Sequence, residues 1–158
     1  MISVLFVCLG NICRSPTAHG VFEGLLEQAG LESKILVDSA GTGDWHLGEA
    51  PDKRTQLAAS HRGYRLDHLR ARQVDAEDFH HFDYILAMDN KNYQDLEEMK
   101  PKNTKVQLKL FLNYAESITI EDVPDPYYGG YSGFEDVLDL IEMAAESLLH
   151  SIKRDHKL

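Results

Sequence analysis

Apolar residues along the chain fall into blocks whose spacing alternates between that of strands and that of helices. Ser3 to Val7 is a short apolar, β-branched run ending at Cys8, and the turn-prone pair Gly10-Asn11 leads into Ser15-Pro16, which suits a helix start. Strand, loop and helix are expected in that order. Ala18, Val21, Phe22, Leu25, Leu26 and Ala29 recur at helical spacing until Gly30 stops the helix. Further strands are expected at Ile35 to Asp38, Phe82 to Met88 and Val106 to Leu110. Pro51 opens a helix to Arg62, and Asp89 caps one that runs through Met99. The clearest stripe is the last: Phe134, Val137, Leu138, Ile141, Ala144, Ala145, Leu148 and Ile152 share one helix face. Two stretches lack either period. Ser39 to Pro51 holds three glycines around Trp45, and Ile120 to Tyr131 holds Pro124, Pro126 and paired glycines; both read as loops of the kind that carries function. Strands alternating with helices imply an α/β fold, a parallel sheet covered on both faces with its site beyond the carboxyl ends of the strands.

At 158 residues, with no repeat and no linker-like tract, residues 1–158 are expected to form a single domain. The net charge of −10 argues against a general nucleic-acid binder, which would need Lys and Arg to neutralise phosphates. Charge is also unevenly placed. Lys53, Arg54, Arg62, Arg65, Arg70 and Arg72 crowd one stretch, whereas no Lys or Arg lies between Lys109 and Lys153. An anionic substrate would therefore have to be held by short-range groups in a shaped pocket. The N-terminal segment lacks the pattern of a secretory signal, and no run approaches the roughly 20 apolar residues of a membrane span. Both cysteines sit in one short segment, which disfavours a secreted disulfide scaffold and points to a reducing, cytoplasmic setting.

The segment Cys8-Leu9-Gly10-Asn11-Ile12-Cys13-Arg14-Ser15 lies between a buried strand and the first turn of a helix. A loop at that junction can turn successive backbone N–H groups inward and cradle a tetrahedral oxyanion at the positive end of the helix dipole. The amides, the helix terminus and Arg14 would all favour Cys8 as a thiolate, the nucleophilic form. Arg14 offers a planar fork that matches two phosphate oxygens, which Lys could not. Ser15 can hydrogen-bond the sulfur and stabilise it as a leaving group. An isolated cysteine at a strand end is often just a small core residue; here the spacing of Arg and Ser outweighs that reading. A zinc site lacks the remaining ligands, and the eight histidines are scattered, so no metal is expected. A reversible Cys8–Cys13 disulfide stays open beside simple packing of Cys13.

Three separated blocks are similar to the low-molecular-weight protein tyrosine phosphatases: Val4 to Pro16, Asp38 to Gly48 and Pro124 to Gly130, with Ala71-Arg72-Gln73 and Phe82 to Asp89 in support. The resemblance spans nearly the whole chain. It implies a four-stranded parallel sheet with helices on both faces, Cys8 as nucleophile, Arg14 as phosphate clamp and Asp125 as general acid. It further implies that Asn11, Ser39 and His68 support the phosphate loop, and that Trp45, Tyr127 and Tyr128 wall the substrate pocket, with Tyr127 or Tyr128 a candidate for phosphorylation.

Asp125 also makes chemical sense alone. Expelling a phenolate, whose conjugate acid has a pKa near ~10, is eased by a carboxylic acid that donates a proton as the P–O bond breaks. Asp122 is the competing carboxylate, and a plain turn aspartate is the competing explanation. Trp45 and the tyrosines could equally be core or amphipathic surface. Ile12 occupies a loop position where Thr, by the same resemblance, goes with phosphoarginine, so phosphotyrosine is favoured over an arginine phosphatase. A related arsenate-reductase group carries further redox cysteines, which this chain lacks after Cys13. The expected activity is hydrolysis of phosphotyrosine through a phosphocysteine, without metal or organic cofactor. Expected partners are phosphotyrosine-containing proteins, a tyrosine kinase among the candidates, and neither nucleic acid nor membrane. A non-catalytic phospho-residue binding module is the rival of another class.

Overall fold

A computed structural model describes residues 1–128 and 131–158, with the backbone alone at 128, 131 and 132. In chain order the elements are β1 (Ile2–Cys8), α1 (Arg14–Ala29), β2 (Ile35–Gly41), α2 (Lys53–His61), α3 (Asp78–His81), β3 (Tyr84–Ala87), α4 (Asn90–Met99), β4 (Gln107–Leu110) and α5 (Tyr131–His156). The four strands form one sheet in the order β2-β1-β3-β4, and every pairing is parallel. This is the four-stranded parallel sheet that the sequence implied.

β1 is central, and Val4 to Val7 are wholly buried, as expected of a strand covered on both faces. Its side chains alternate between two cores. Val4 and Phe6 pack with Val21, Phe22, Leu138 and Ile141 of α1 and α5, while Leu5 and Val7 pack with Phe79, Ile85 and Leu96 on the opposite face. Phe6 meets Phe22 and Phe111 edge-on, with ring centroids 5.8 and 5.1 Å apart. The sheet thus fixes where β1 ends, and Cys8 is its last residue.

Several boundaries move for identifiable reasons. β2 runs on to Gly41 because it pairs with β1 along its full length, Cys8 facing Gly41, so Ser39 to Gly41 are strand and not loop. β3 starts later than expected because α3 runs to His81 and the Phe82 N–H still donates to the Asp78 carbonyl. α2 begins after Pro51 because Asp52 caps it, accepting from the amides of Arg54 and Thr55. Asp89 caps α4 through the Asn92 N–H, as the sequence indicated. α3 has four residues, too few to show a period. Among the described residues no helix is long and apolar enough to cross a membrane.

Candidate active site

The loop after β1 is shaped by where its carbonyls go. Thr42 N–H donates to the Cys8 carbonyl, Gly43 N–H to Leu9, Asp52 N–H to Ile12 and Thr17 N–H to Cys13, at 2.8–3.2 Å. With those oxygens engaged by other partners, loop amides can turn to the concave side, as that of Asn11 does toward Cys8 Sγ. Asn11 adopts a left-handed backbone, φ 57°, which Asn tolerates better than most residues. Its side chain is fastened at both ends: Oδ1 accepts from the Arg72 N–H at 3.0 Å, and Nδ2 donates to Ser15 Oγ at 2.8 Å. Cys13 gives α1 no side-chain cap and no acid occupies the first turn, so the positive end of the helix stays open to an anion.

Cys8 Sγ sits inside this ring. The Asn11 N–H donates to it at 3.2 Å, and Ser15 Oγ lies 2.9 Å away. Ser15 Oγ accepts from Asn11, and its one proton has two acceptors in reach, the sulfur at 2.9 Å and the Ala40 carbonyl at 3.4 Å, of which the sulfur is the nearer. Arg14 is buried, with Nη1 donating to Asp89 Oδ2 at 2.6 Å and to the Val123 carbonyl at 3.1 Å. Burial opposes its charge, but Cys8 and the carboxylates of Asp89 and Asp125 outweigh that and raise its pKa above the ordinary guanidinium value. Nη2 lies 3.7 Å from Asp125 Oδ2, and Asp125 Oδ1 accepts from the Tyr127 N–H at 3.0 Å. A cavity of about 370 Å³ opens over the sulfur, lined by the loop together with Trp45, His46, Asp125 and Tyr127. Residues from three separate segments therefore face one volume at the carboxyl end of β1.

The family model for low molecular weight phosphotyrosine protein phosphatases matches residues 3–158. The chain belongs to that family. It is 48% identical over 158 residues to the Bacillus subtilis low molecular weight protein-tyrosine-phosphatase YfkJ, covering 100% of both chains. Its structure is similar to a protein tyrosine phosphatase from Entamoeba histolytica, with a TM-score of 0.93, 41% identity and 100% of each chain covered. It is also similar to the drosophila arginine phosphatase, with a TM-score of 0.89, 35% identity, and 95% of this chain and 97% of that chain covered.

Within this low-molecular-weight phosphatase, Cys8, Asn11, Ser15, Arg14, Asp125, Trp45 and Tyr127 are gathered as the sequence implied, with Leu9, Gly10, Ile12 and Cys13 completing the loop. The Tyr128 side chain lies outside the described residues. Two supporting assignments need correction. His68 is 56% exposed and its Nε2 lies 3.9 Å from Glu23, so it takes no part in the loop's network. Ser39 Oγ pairs with His19 Nδ1 at 3.0 Å and not with the loop; its neighbour Ala40 supplies the carbonyl 3.4 Å from Ser15 Oγ. His19 is buried on α1, and that burial pushes its imidazole down to about 4 against the pull of Asp38.

Sequence reasoning missed Asp89 as the partner of Arg14, Arg72 as the anchor of Asn11, and His46 as a wall residue. Asp89 and Arg72 stood within family-like blocks, and His46 adjoins Trp45, but nothing local marked their contacts. Burial also pushes the Cys13 thiol up to about 12, so it is protonated near neutrality.

Proposed function

We propose that this protein is a phosphotyrosine phosphatase that works in two displacements at Cys8. The Cys8 thiolate attacks phosphorus, the P–O bond to the tyrosine breaks, and Asp125 in its acid form gives its proton to the departing phenolate. Asp125 then takes a proton from water as that water attacks the phosphocysteine, releasing inorganic phosphate and restoring the thiolate. The inward-facing amides and Arg14 stabilise the charge on the transferring phosphoryl group throughout. Asp89 and Val123 occupy Nη1 of Arg14, leaving Nε and Nη2 as the edge of the fork for two phosphate oxygens. Ser15 hydrogen-bonds the sulfur and eases its departure in the second step.

The observation that carries this reading is the convergence of Cys8, Arg14 and Asp125 on one cavity with aromatic walls. Trp45 and Tyr127 favour a flat aryl ester over an alkyl one, and Ile12 adds an apolar wall. The similarity to an arginine phosphatase keeps phosphoarginine as the second reading, which Ile12 disfavours. Two buried free thiols suit a reducing cytoplasmic setting, and the substrates are phosphotyrosine proteins.

Turnover of p-nitrophenyl phosphate in the presence of EDTA, abolished by Cys8→Ser, is the expected result. A Cys8→Ser protein that still hydrolyses the ester would overturn the mechanism, and faster release from phosphoarginine than from phosphotyrosine would favour the second reading.

A further inference from the structure

Of the five arginines between residues 54 and 72, four are committed to carboxylates in the fold. Arg54 is bound to Asp52, Arg62 to Glu135, Asp139 and Glu142, Arg65 to Asp67, and Arg72 to Asp38 and Asp78. Arg70 donates to the carbonyls of Asp67 and Leu69. The basic stretch conspicuous in the sequence is therefore mostly offset by carboxylates; Arg70 keeps its charge, and Arg54, paired with Asp52, lies 5.4 Å from the centroid of the Tyr127 ring at the cavity wall. Lys53 alone of it, among the described residues, has neither a carboxylate nor a carbonyl partner, against a net charge of −10.

The mouth of the cavity is instead apolar. Trp45 is 68% exposed, and its ring lies against Gly43, where a Cβ would collide with the indole. Leu47, next to the cavity-lining His46, is 57% exposed, and Leu9 at the other rim is 38% exposed. The loop bearing Trp45 and Leu47 is pinned at both ends, Gly43 N–H to Leu9 and Gly48 N–H to Ala71, at 2.9 Å each. A rigid apolar shelf of this kind can bury a neighbouring side chain with little ordering cost. Acidic side chains Asp44 and Glu49 share that loop, and Glu121 and Asp122 hold Asn90 beside the Asp89 that fastens Arg14.

Resting on the phosphatase reading above, we propose that this site selects phosphotyrosines flanked by apolar residues and discriminates against those in acidic sequences. The shelf takes up the apolar neighbour, and the surrounding carboxylates repel an acidic one within the Debye length of about 10 Å at 0.1 M salt.

The test compares phosphotyrosine peptides of equal length flanked by leucine or by glutamate, with p-nitrophenyl phosphate as the flank-free control. The leucine peptide is expected to exceed the glutamate peptide in kcat/KM by about tenfold at low ionic strength, the gap narrowing but not closing at high salt. Leu47→Ser is expected to cut the leucine advantage by about threefold and leave p-nitrophenyl phosphate turnover unchanged. Equal or faster turnover of the glutamate peptide, with the control ester still hydrolysed, overturns the inference. An advantage untouched by Leu47→Ser overturns the shelf as its cause. Loss of activity on the control ester itself would instead remove the phosphatase reading, and the inference with it.

Discussion

Asp89 holds Arg14 with one carboxylate oxygen and caps α4 with the other: Oδ2 accepts from Nη1 at 2.6 Å, and Oδ1 accepts from the Asn92 N–H at 2.7 Å. One side chain thus ties the phosphate clamp to the start of a helix. Asp89→Ala removes both bonds and leaves a buried guanidinium short of a partner, so unfolding free energy should fall by about 2 kcal/mol. Asp89→Asn keeps a capping oxygen and should recover much of that stability, whereas both variants should raise KM because Arg14 loses the carboxylate that holds Nη1. Denaturant melts and steady-state kinetics on the two variants separate these contributions.

Asp125 is assigned the proton that leaves with the phenol. Its removal should matter in proportion to how poorly the leaving group departs unaided. Asp125→Ala is expected to slow phosphotyrosine hydrolysis by about 10²- to 10⁴-fold, and p-nitrophenyl phosphate hydrolysis by less, because nitrophenolate needs less help. Binding of vanadate or phosphate should persist. A larger effect from Asp122→Ala would move the acid to that residue, which in the structure instead accepts from Asn90 N and Nδ2 at 2.8 Å.

Gly41 closes β2 directly beneath the phosphate loop. A Cβ there would lie 2.6 Å from the Leu9 carbonyl oxygen and 3.2 Å from the Asn11 nitrogen, both backbone atoms that cannot swing away. Gly41→Ala should displace the loop and lower kcat/KM by about 10²-fold, since small misplacements of reacting groups are costly. Circular dichroism of the folded variant, beside its kinetics, checks that the sheet survives.

His19 supplies a pH dependence of stability. The native imidazole, pushed down to about 4, resists protonation, whereas the unfolded chain takes up that proton near the ordinary 6.5. Between those values the unfolded state binds more protons, so stability rises with pH through the window and falls as pH drops from 6.5 toward 4. The full effect is about 3 kcal/mol, present above the window and lost below it. Thermal melts across this range should show the slope in the parent protein and a flatter profile in His19→Gln.

Elements defined by a long period were legible from the chain alone. The stripe of α5 and the apolar run of β1 each carry enough repeats to declare themselves, and the chemistry of Cys8, Arg14 and Ser15 is compressed into eight consecutive residues. What could not be read was who meets whom across the fold. His19 and His68 are equally plain histidines in sequence, and only the packing of α1 on β2 places the former against Ser39. The arginines from 54 to 72 look like a basic surface because pairing does not show in the sequence: Arg62 meets Glu135, Asp139 and Glu142 far along the chain, while Arg54 and Arg65 turn onto the nearby Asp52 and Asp67. Ser39 to Gly41 looked like loop because their ladder partner is β1, not a local neighbour.

The anchors of the phosphate loop are remote: Arg72 is 61 residues from Asn11, and Asp89 and Val123 are 75 and 109 residues from Arg14. No early fragment of the chain can assemble the cradle. A molecule opened at these contacts is therefore chemically silent, and regained turnover during refolding reports the joining of remote segments.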